Sequence, residues 1–250
     1  MNISKSSNPA FTKDAFRVEG LTRAGSTVMT INGTVNKTFL MTILVVLGAA
    51  YTWNLMIQGN MTAVNGYMIG GGIGGFIIAL ITIFKKTLAP YTAPIYAVLQ
   101  GLLLGGISAM LNEKFPGIVL QAVALTFGTL FALLFAYRSG LIKVTENFKL
   151  GVVAATGGIF IAYLLSFILG LFGVNIGFMH SNGPVGIIVS LVIIVVAALN
   201  LVLDFDFIEN GAESGAPKYM EWYAAFGLMV TLIWLYLEFL RLLSKLSSRN

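Results

Sequence analysis

The 250-residue chain has no cysteine, one histidine and few charges, with Asp, Glu, Lys and Arg together making up 10% of it. Without cysteine there are no disulfides, thiolate metal sites or cysteine nucleophiles, and nothing to report the redox compartment. With His180 alone, a histidine-rich metal site is excluded as well. A soluble domain carries about 25% charged residues and roughly 45–50% apolar ones. Here 57% are hydrophobic, so a soluble globular fold is excluded in favour of a chain dissolved in lipid. The net charge of +5 is spread in single or paired basic residues beside apolar runs, not gathered on one polar face as nucleic-acid binding requires, so no nucleic-acid partner is expected. The first 37 residues contain no apolar stretch long enough for a signal peptide and read as a polar cytosolic arm.

What is present is long apolar runs. A helix rising about 1.5 Å per residue needs about 20 apolar residues to cross a hydrocarbon core about 30 Å thick. Seven stretches qualify, at approximately 38–58, 64–84, 89–111, 117–138, 150–173, 184–208 and 219–246. Turn signals separate them, among them Gln58-Gly59-Asn60, Asn112 to Pro116, Ser181-Asn182-Gly183-Pro184 and Glu209 to Pro217. The expected architecture is all-α: a polar arm over 1–37, a seven-helix transmembrane domain over 38–246 and a short basic tail over 247–250. With the N-terminus cytosolic, eleven Lys and Arg fall on the cytosolic side against four on the other, which favours that orientation. A six-span arrangement with both ends inside suits the basic tail better, but demotes a good span to a re-entrant segment.

Small residues recur in the second span. Gly66, Gly70 and Gly74, with Gly71 and Gly75 beside them, form two overlapping GxxxG faces that let backbones approach closely, and Gly101, Gly105, Gly157 and Gly158 extend the pattern. They read either as tight packing or as a movable gate.

Six of the ten acids fall after residue 203. Charge in the hydrocarbon costs about 2.5–3.5 kcal/mol per residue on insertion scales, so acids there tend to mark a pathway or sensor. At 100° per residue, Asp206, Glu209 and Glu213 share one helix face and form a mouth group facing the aqueous loop, while Asp204 points among apolar neighbours and needs a partner or a proton. If the chain turns near Ser214 and Gly215, a residue level with Asp204 in the last span lies near 225. Glu221 is the nearest acid, and Glu238 sits about 20 Å further along. Glu238 has local partners available in Arg241 and Lys245 at i+3 and i+7. Two carboxylates held together share a proton and titrate as a unit. Enzyme chemistry finds no support: there is no GxSxG elbow for a serine nucleophile, the Gly70–Gly75 run lacks a following GK[ST], and no acid or histidine set has metal-ligand spacing.

Three segments carry a family resemblance: Leu203-Asp204-Phe205-Asp206-Phe207-Ile208-Glu209, Ala216 to Tyr223, and Leu235-Tyr236-Leu237-Glu238-Phe239-Leu240-Arg241. With Asn8-Pro9-Ala10-Phe11 and Val35-Asn36-Lys37-Thr38, they resemble the Bax inhibitor family, also called the transmembrane BAX inhibitor motif family, in its bacterial branch. The resemblance implies a multi-pass cell-membrane protein, bacterial inner membrane included, whose last helix is surrounded by the other six. It implies a pH-sensitive calcium leak channel, with Ca²⁺ or another cation as the transported ion and no cofactor. It also implies a sensor made of two acids: Asp204 matches the first, while the second falls on Glu238 by its Leu-Tyr-Leu string or on Glu221 by hairpin geometry. Asp206 and Glu209 would draw cations to the mouth. Some bacterial relatives are associated with quality-control proteolysis, so the alternative is a non-conducting regulator that binds a membrane protease.

Overall fold

The computed structural model describes residues 28–173 and 183–248. Seven long helices follow one another: α1 (Ile31–Ile57), α2 (Met61–Phe84), α3 (Ala89–Lys114), α4 (Ile118–Arg138), α5 (Glu146–Leu171), α6 (Pro184–Glu213) and α7 (Met220–Ser247), with one 3-10 turn at Lys86–Leu88 before α3. All seven are long and apolar enough to cross a membrane, so the fold is a polytopic all-helical bundle. His180 lies outside the described residues, as does the arm up to residue 27.

The helix ends follow from local chemistry. Thr30 is extended and caps α1, its hydroxyl accepting from Gly33 N at 3.0 Å, so the helix starts at Ile31 and takes in residues that read as arm. Asn60 and Thr145 cap α2 and α5 in the same way. Pro184 opens α6, its fixed φ and missing N–H suiting the first helical turn. Charged residues do not end α6, which runs through Asp206 and Glu209 to Glu213. The chain then reverses at Gly215, whose φ of +67° is a conformation that favours glycine.

α7 is the most buried helix and packs against α1, α3, α4 and α6. α2 lies outside this layer, on α3 and α1, and α5 is the most lipid-exposed span, resting on α6. The outer surface is apolar, with Phe76, Phe84, Phe135, Phe160 and Phe167 all exposed, as expected where the solvent is lipid.

The glycine pattern resolves into one packed face. A Cβ on Gly71 would lie 2.5 Å from Leu99 O, and one on Gly75 would lie 2.5 Å from Gln100 Nε2. Across the α1–α3 crossing, a Cβ on Gly101 would lie 2.4 Å from Val45 O, and one on Gly105 would lie 2.3 Å from Ala49 O. Gly66, Gly70, Gly157 and Gly158 meet nothing within 4 Å, and on their α2 face only Gly74 approaches a neighbour, at 3.3 Å from Leu99 Cδ1, which corrects the reading of both GxxxG faces of α2 and the α5 pair as helix packing.

Candidate functional site

The tight α6–α7 turn sets the register between the two helices, and this decides what Asp204 faces. Its Oδ1 lies 3.8 Å from where a Cβ on Gly227 would be, which places the carboxyl against this part of α7. One turn further along α7, the Thr231 hydroxyl lies close to the Asp204 side chain. The same hydroxyl lies 3.3 Å from Gly227 O. Asp204 Oδ2 is enclosed and has no hydrogen-bond partner among the described residues. On its own helix Leu201 and Ile208, at i−3 and i+4, share its face, and both belong to a buried cluster with Phe205 and Leu228.

Neither glutamate expected as its partner is there, and the expected carboxylate pair is corrected on this point. Glu221 is six residues before Gly227 and Glu238 seven after Thr231, about 9 and 10 Å along the helix axis. Both are committed elsewhere. Glu221 is fully buried at the start of α7, where its Oε1 accepts from Thr30 N and Thr30 Oγ1 at 2.9 Å each and from Lys218 Nζ at 2.8 Å. Its Oε2 accepts from Lys37. Two cations and a helix cap thus compensate one buried carboxylate. The same end is strapped by the chain entering α1: Met29 N donates to Ala216 O at 2.7 Å and Val28 bridges to Pro217.

At the other end of α7, Glu238 is buried and its Oε1 accepts from Arg241 at 2.7 Å and from the Tyr163 hydroxyl of α5 at 3.0 Å. Arg241 also bonds Tyr163 and lies over its ring, 5.1 Å from the centroid. Lys245 reaches a different helix, donating to Gly186 O and Ser190 Oγ of α6 at 2.9 Å each. Of the local neutralising set read from sequence, Arg241 serves Glu238 directly, while Lys245 holds α6 to α7.

Of the mouth residues on α6, Asp206 and Glu209 are already engaged. Asp206 pairs with Lys149 of α5 at 3.1 Å, and Lys149 also reaches Glu146 at 3.4 Å. Glu209 accepts from the Tyr137 hydroxyl at the end of α4. One end of the bundle therefore gathers the starts of α1, α5 and α7 with the ends of α4 and α6. Lys86, 5.2 Å from the Tyr223 ring centroid, adds the α2–α3 junction to it. Among the described residues, no three acids or histidines are grouped as metal ligands.

Thr231 and Gly227 did not stand out in the sequence because the search level with residue 225 was for acids, although both lie within about a turn and a half of that level. Lys149 entered the reading only as a topology signal, and Lys37 as one and as part of a family segment; their pairing with Asp206 and Glu221 appears only when distant helices are brought together. A family model described as Bax inhibitor 1 like matches residues 8–248. Searches among curated proteins and solved structures give no match.

Proposed function

We propose, from the premise that the chain belongs to the Bax inhibitor 1 like family and is a multi-pass membrane protein, that it passes cations, Ca²⁺ foremost, in a pH-dependent way with Asp204 as the sensor. The observation that carries this reading is a carboxyl inside the bundle with one enclosed oxygen unpartnered and the Thr231 hydroxyl beside it. Thr231 has one proton to donate and two acceptors within reach. When Asp204 carries a proton, it can donate to Thr231 Oγ1 while Thr231 donates to Gly227 O. When Asp204 is ionised, Thr231 must turn its proton to the carboxylate. The hydroxyl therefore couples the charge at Asp204 to the backbone of the central helix.

Among the described residues no base pairs with an anion here: Lys37 and Lys218 are engaged at Glu221, and Arg241 at Glu238. Low-dielectric surroundings make an uncompensated charge costly, and a cation entering from the acidic mouth relieves that cost. The sensor is thus one aspartate with a threonine, in place of two carboxylates. The ionised state favours cation entry, so flux rises with pH. We place the end bearing Lys37, Lys149 and Lys218 in the cytosol of a cell membrane, because the basic excess collects there. Because the chain has no cysteine, single introduced cysteines can test this by labelling from either side.

The deciding experiment is Ca²⁺ entry into proteoliposomes across pH for wild type and Asp204→Asn. The expected result is flux that rises with pH in wild type and is low and flat in the variant. Equal flux in both, or flux no higher than in empty vesicles, overturns the reading. The second reading, a non-conducting regulator of a membrane protease, is favoured by the strap at Val28 and Met29, which fixes where the arm leaves the bundle. Removing residues 1–27 separates the two: a regulator loses its co-purifying partner, whereas a channel keeps its flux.

A further inference from the structure

Two concave regions lie end to end between α1 and α4 and share Thr42, Phe127 and Leu232, so they form one furrow floored by the central helix. The half nearest the acidic mouth has a volume of about 430 Å³ and follows α1 from Ile31 to Thr42. At about 1.5 Å per residue this is roughly 16 Å of helix, close to half of a hydrocarbon core about 30 Å thick, and so the depth of one leaflet.

Its walls are apolar despite three threonines. Thr34, Thr38 and Thr42 each donate their hydroxyl to the carbonyl four residues back, at 3.1, 3.0 and 2.9 Å, which leaves no hydroxyl proton for an occupant. Opposite them stand Leu130, Phe131 and Leu134 of α4. The furrow ends at Arg138, which is exposed and has no ion pair or side-chain hydrogen bond among the described residues. The nearby acid, Glu209, is held by Tyr137 and is not paired with Arg138.

We propose that this half-furrow is a binding site for a membrane phospholipid, with one acyl chain lying between α1 and α4 against Leu228 and Leu232 and the phosphate on Arg138. Charge complementarity selects the headgroup, since a guanidinium at the rim of an apolar slot matches a phosphate joined to a hydrocarbon chain. A chain seated here touches the helix that bears Thr231, so the site differs from a general lipid coat in reaching the centre of the bundle.

The test is photolabelling of the full chain in liposomes containing phosphatidylglycerol with a diazirine-bearing acyl chain, with adducts mapped by mass spectrometry. The expected result is at least fivefold more adduct on Thr38 and Leu134 than on the exposed outer residues Phe76 and Phe160. Arg138→Gln should lower labelling in the furrow several-fold and leave Phe76 unchanged. Thr38→Trp, which fills the slot, should do the same, provided that the variant elutes as the wild type does. Even labelling over all outer faces, or furrow labelling indifferent to both variants, would overturn the proposal. So would cross-links at the furrow to residues 1–27 or to a second copy in place of lipid.

Discussion

Gly33 decides whether Glu221 can hold its place. A Cβ built on Gly33 would lie 2.1 Å from Glu221 Oε1, 2.3 Å from its Cδ and 2.5 Å from its Oε2. These atoms end a flexible side chain, so Gly33→Ala need not break the α1–α7 contact; it drives the carboxylate out of its seat. The loss is then what the carboxylate forfeits: two bonds from Thr30 and the ion pairs to Lys37 and Lys218. Hydrogen bonds to a charged group contribute about 1.5–3 kcal/mol each, and breaking a buried ion pair by removing one partner costs about 3–5 kcal/mol. Lys218, 46% exposed, counts for little, whereas Lys37 at 17% counts for most of its pair. Partial retention of the bonds gives a loss of about 2–4 kcal/mol for Gly33→Ala, and Glu221→Ala should cost a similar amount. The assay is unfolding in mixed micelles for both single variants and the double variant. With no carboxylate to collide with, alanine at 33 should be nearly silent in the Glu221→Ala background, giving a coupling of about 2 kcal/mol or more. Additive losses, or a Gly33→Ala variant within about 0.5 kcal/mol of wild type, would refute the latch.

The glycines of α2 give a paired comparison in the same assay. Gly71→Ala should destabilise by about 2 kcal/mol, because its Cβ would meet backbone at Leu99 and force α2 off α3, while Gly70→Ala, which meets nothing, should be neutral or slightly stabilising. Thr231→Val keeps the shape and removes the hydroxyl beside Asp204; it should change the pH profile of Ca²⁺ entry while leaving stability within about 1–2 kcal/mol, and an unchanged profile would remove Thr231 from the mechanism. Lys149→Ala should lower stability only slightly, and the effect should vanish in high salt, since Lys149 is 36% exposed and spans two acids; a salt-independent loss would mean that the pair is not solvated.

The architecture was legible in the sequence because lipid imposes a length and a polarity on each span, and six of the seven helices start within four residues of where the apolar runs place them. α1 begins earlier because a cap at Thr30, not hydropathy, starts it. α6 ends later because Lys149 and Tyr137 receive its acids, which lets the helix carry them. The site was legible in part. The spacing to the turn placed Asp204 near residue 225 of the last span, and the structure puts it beside Gly227 and Thr231. The expectation of a second carboxylate failed because Glu221 and Glu238 are bound by residues from α1, α5 and their own helix, and helical periodicity carries no information on such long-range partners. The packed glycine face could not be told from the lipid-facing one for the same reason: Gly70 and Gly71 are adjacent, and only the position of α3 distinguishes them.

The two glutamates constrain what can happen at Asp204. Glu221 ties the start of α7 to α1, and Glu238 with Arg241 and Tyr163 ties its far half to α5. α6 is fixed at both ends as well, through Lys245 to Gly186 and Ser190 at one and through Asp206 and Glu209 at the other. Sliding either helix by one turn, about 5.4 Å, would break at least one of these charged contacts. A charge on Asp204 is therefore not relieved by shifting the register of α6 and α7. It leaves three outcomes: proton uptake, local bending of the helices between their ties, or arrival of a cation. Bending is opposed by the core around it, where Leu201, Phe205 and Ile208 of α6 belong to one buried cluster with Leu228 and Leu232 of α7. Proton and cation thus compete for one carboxylate, and this competition is the physical basis for expecting Ca²⁺ entry to respond to pH through Asp204 and not through the more heavily bonded Glu221 or Glu238.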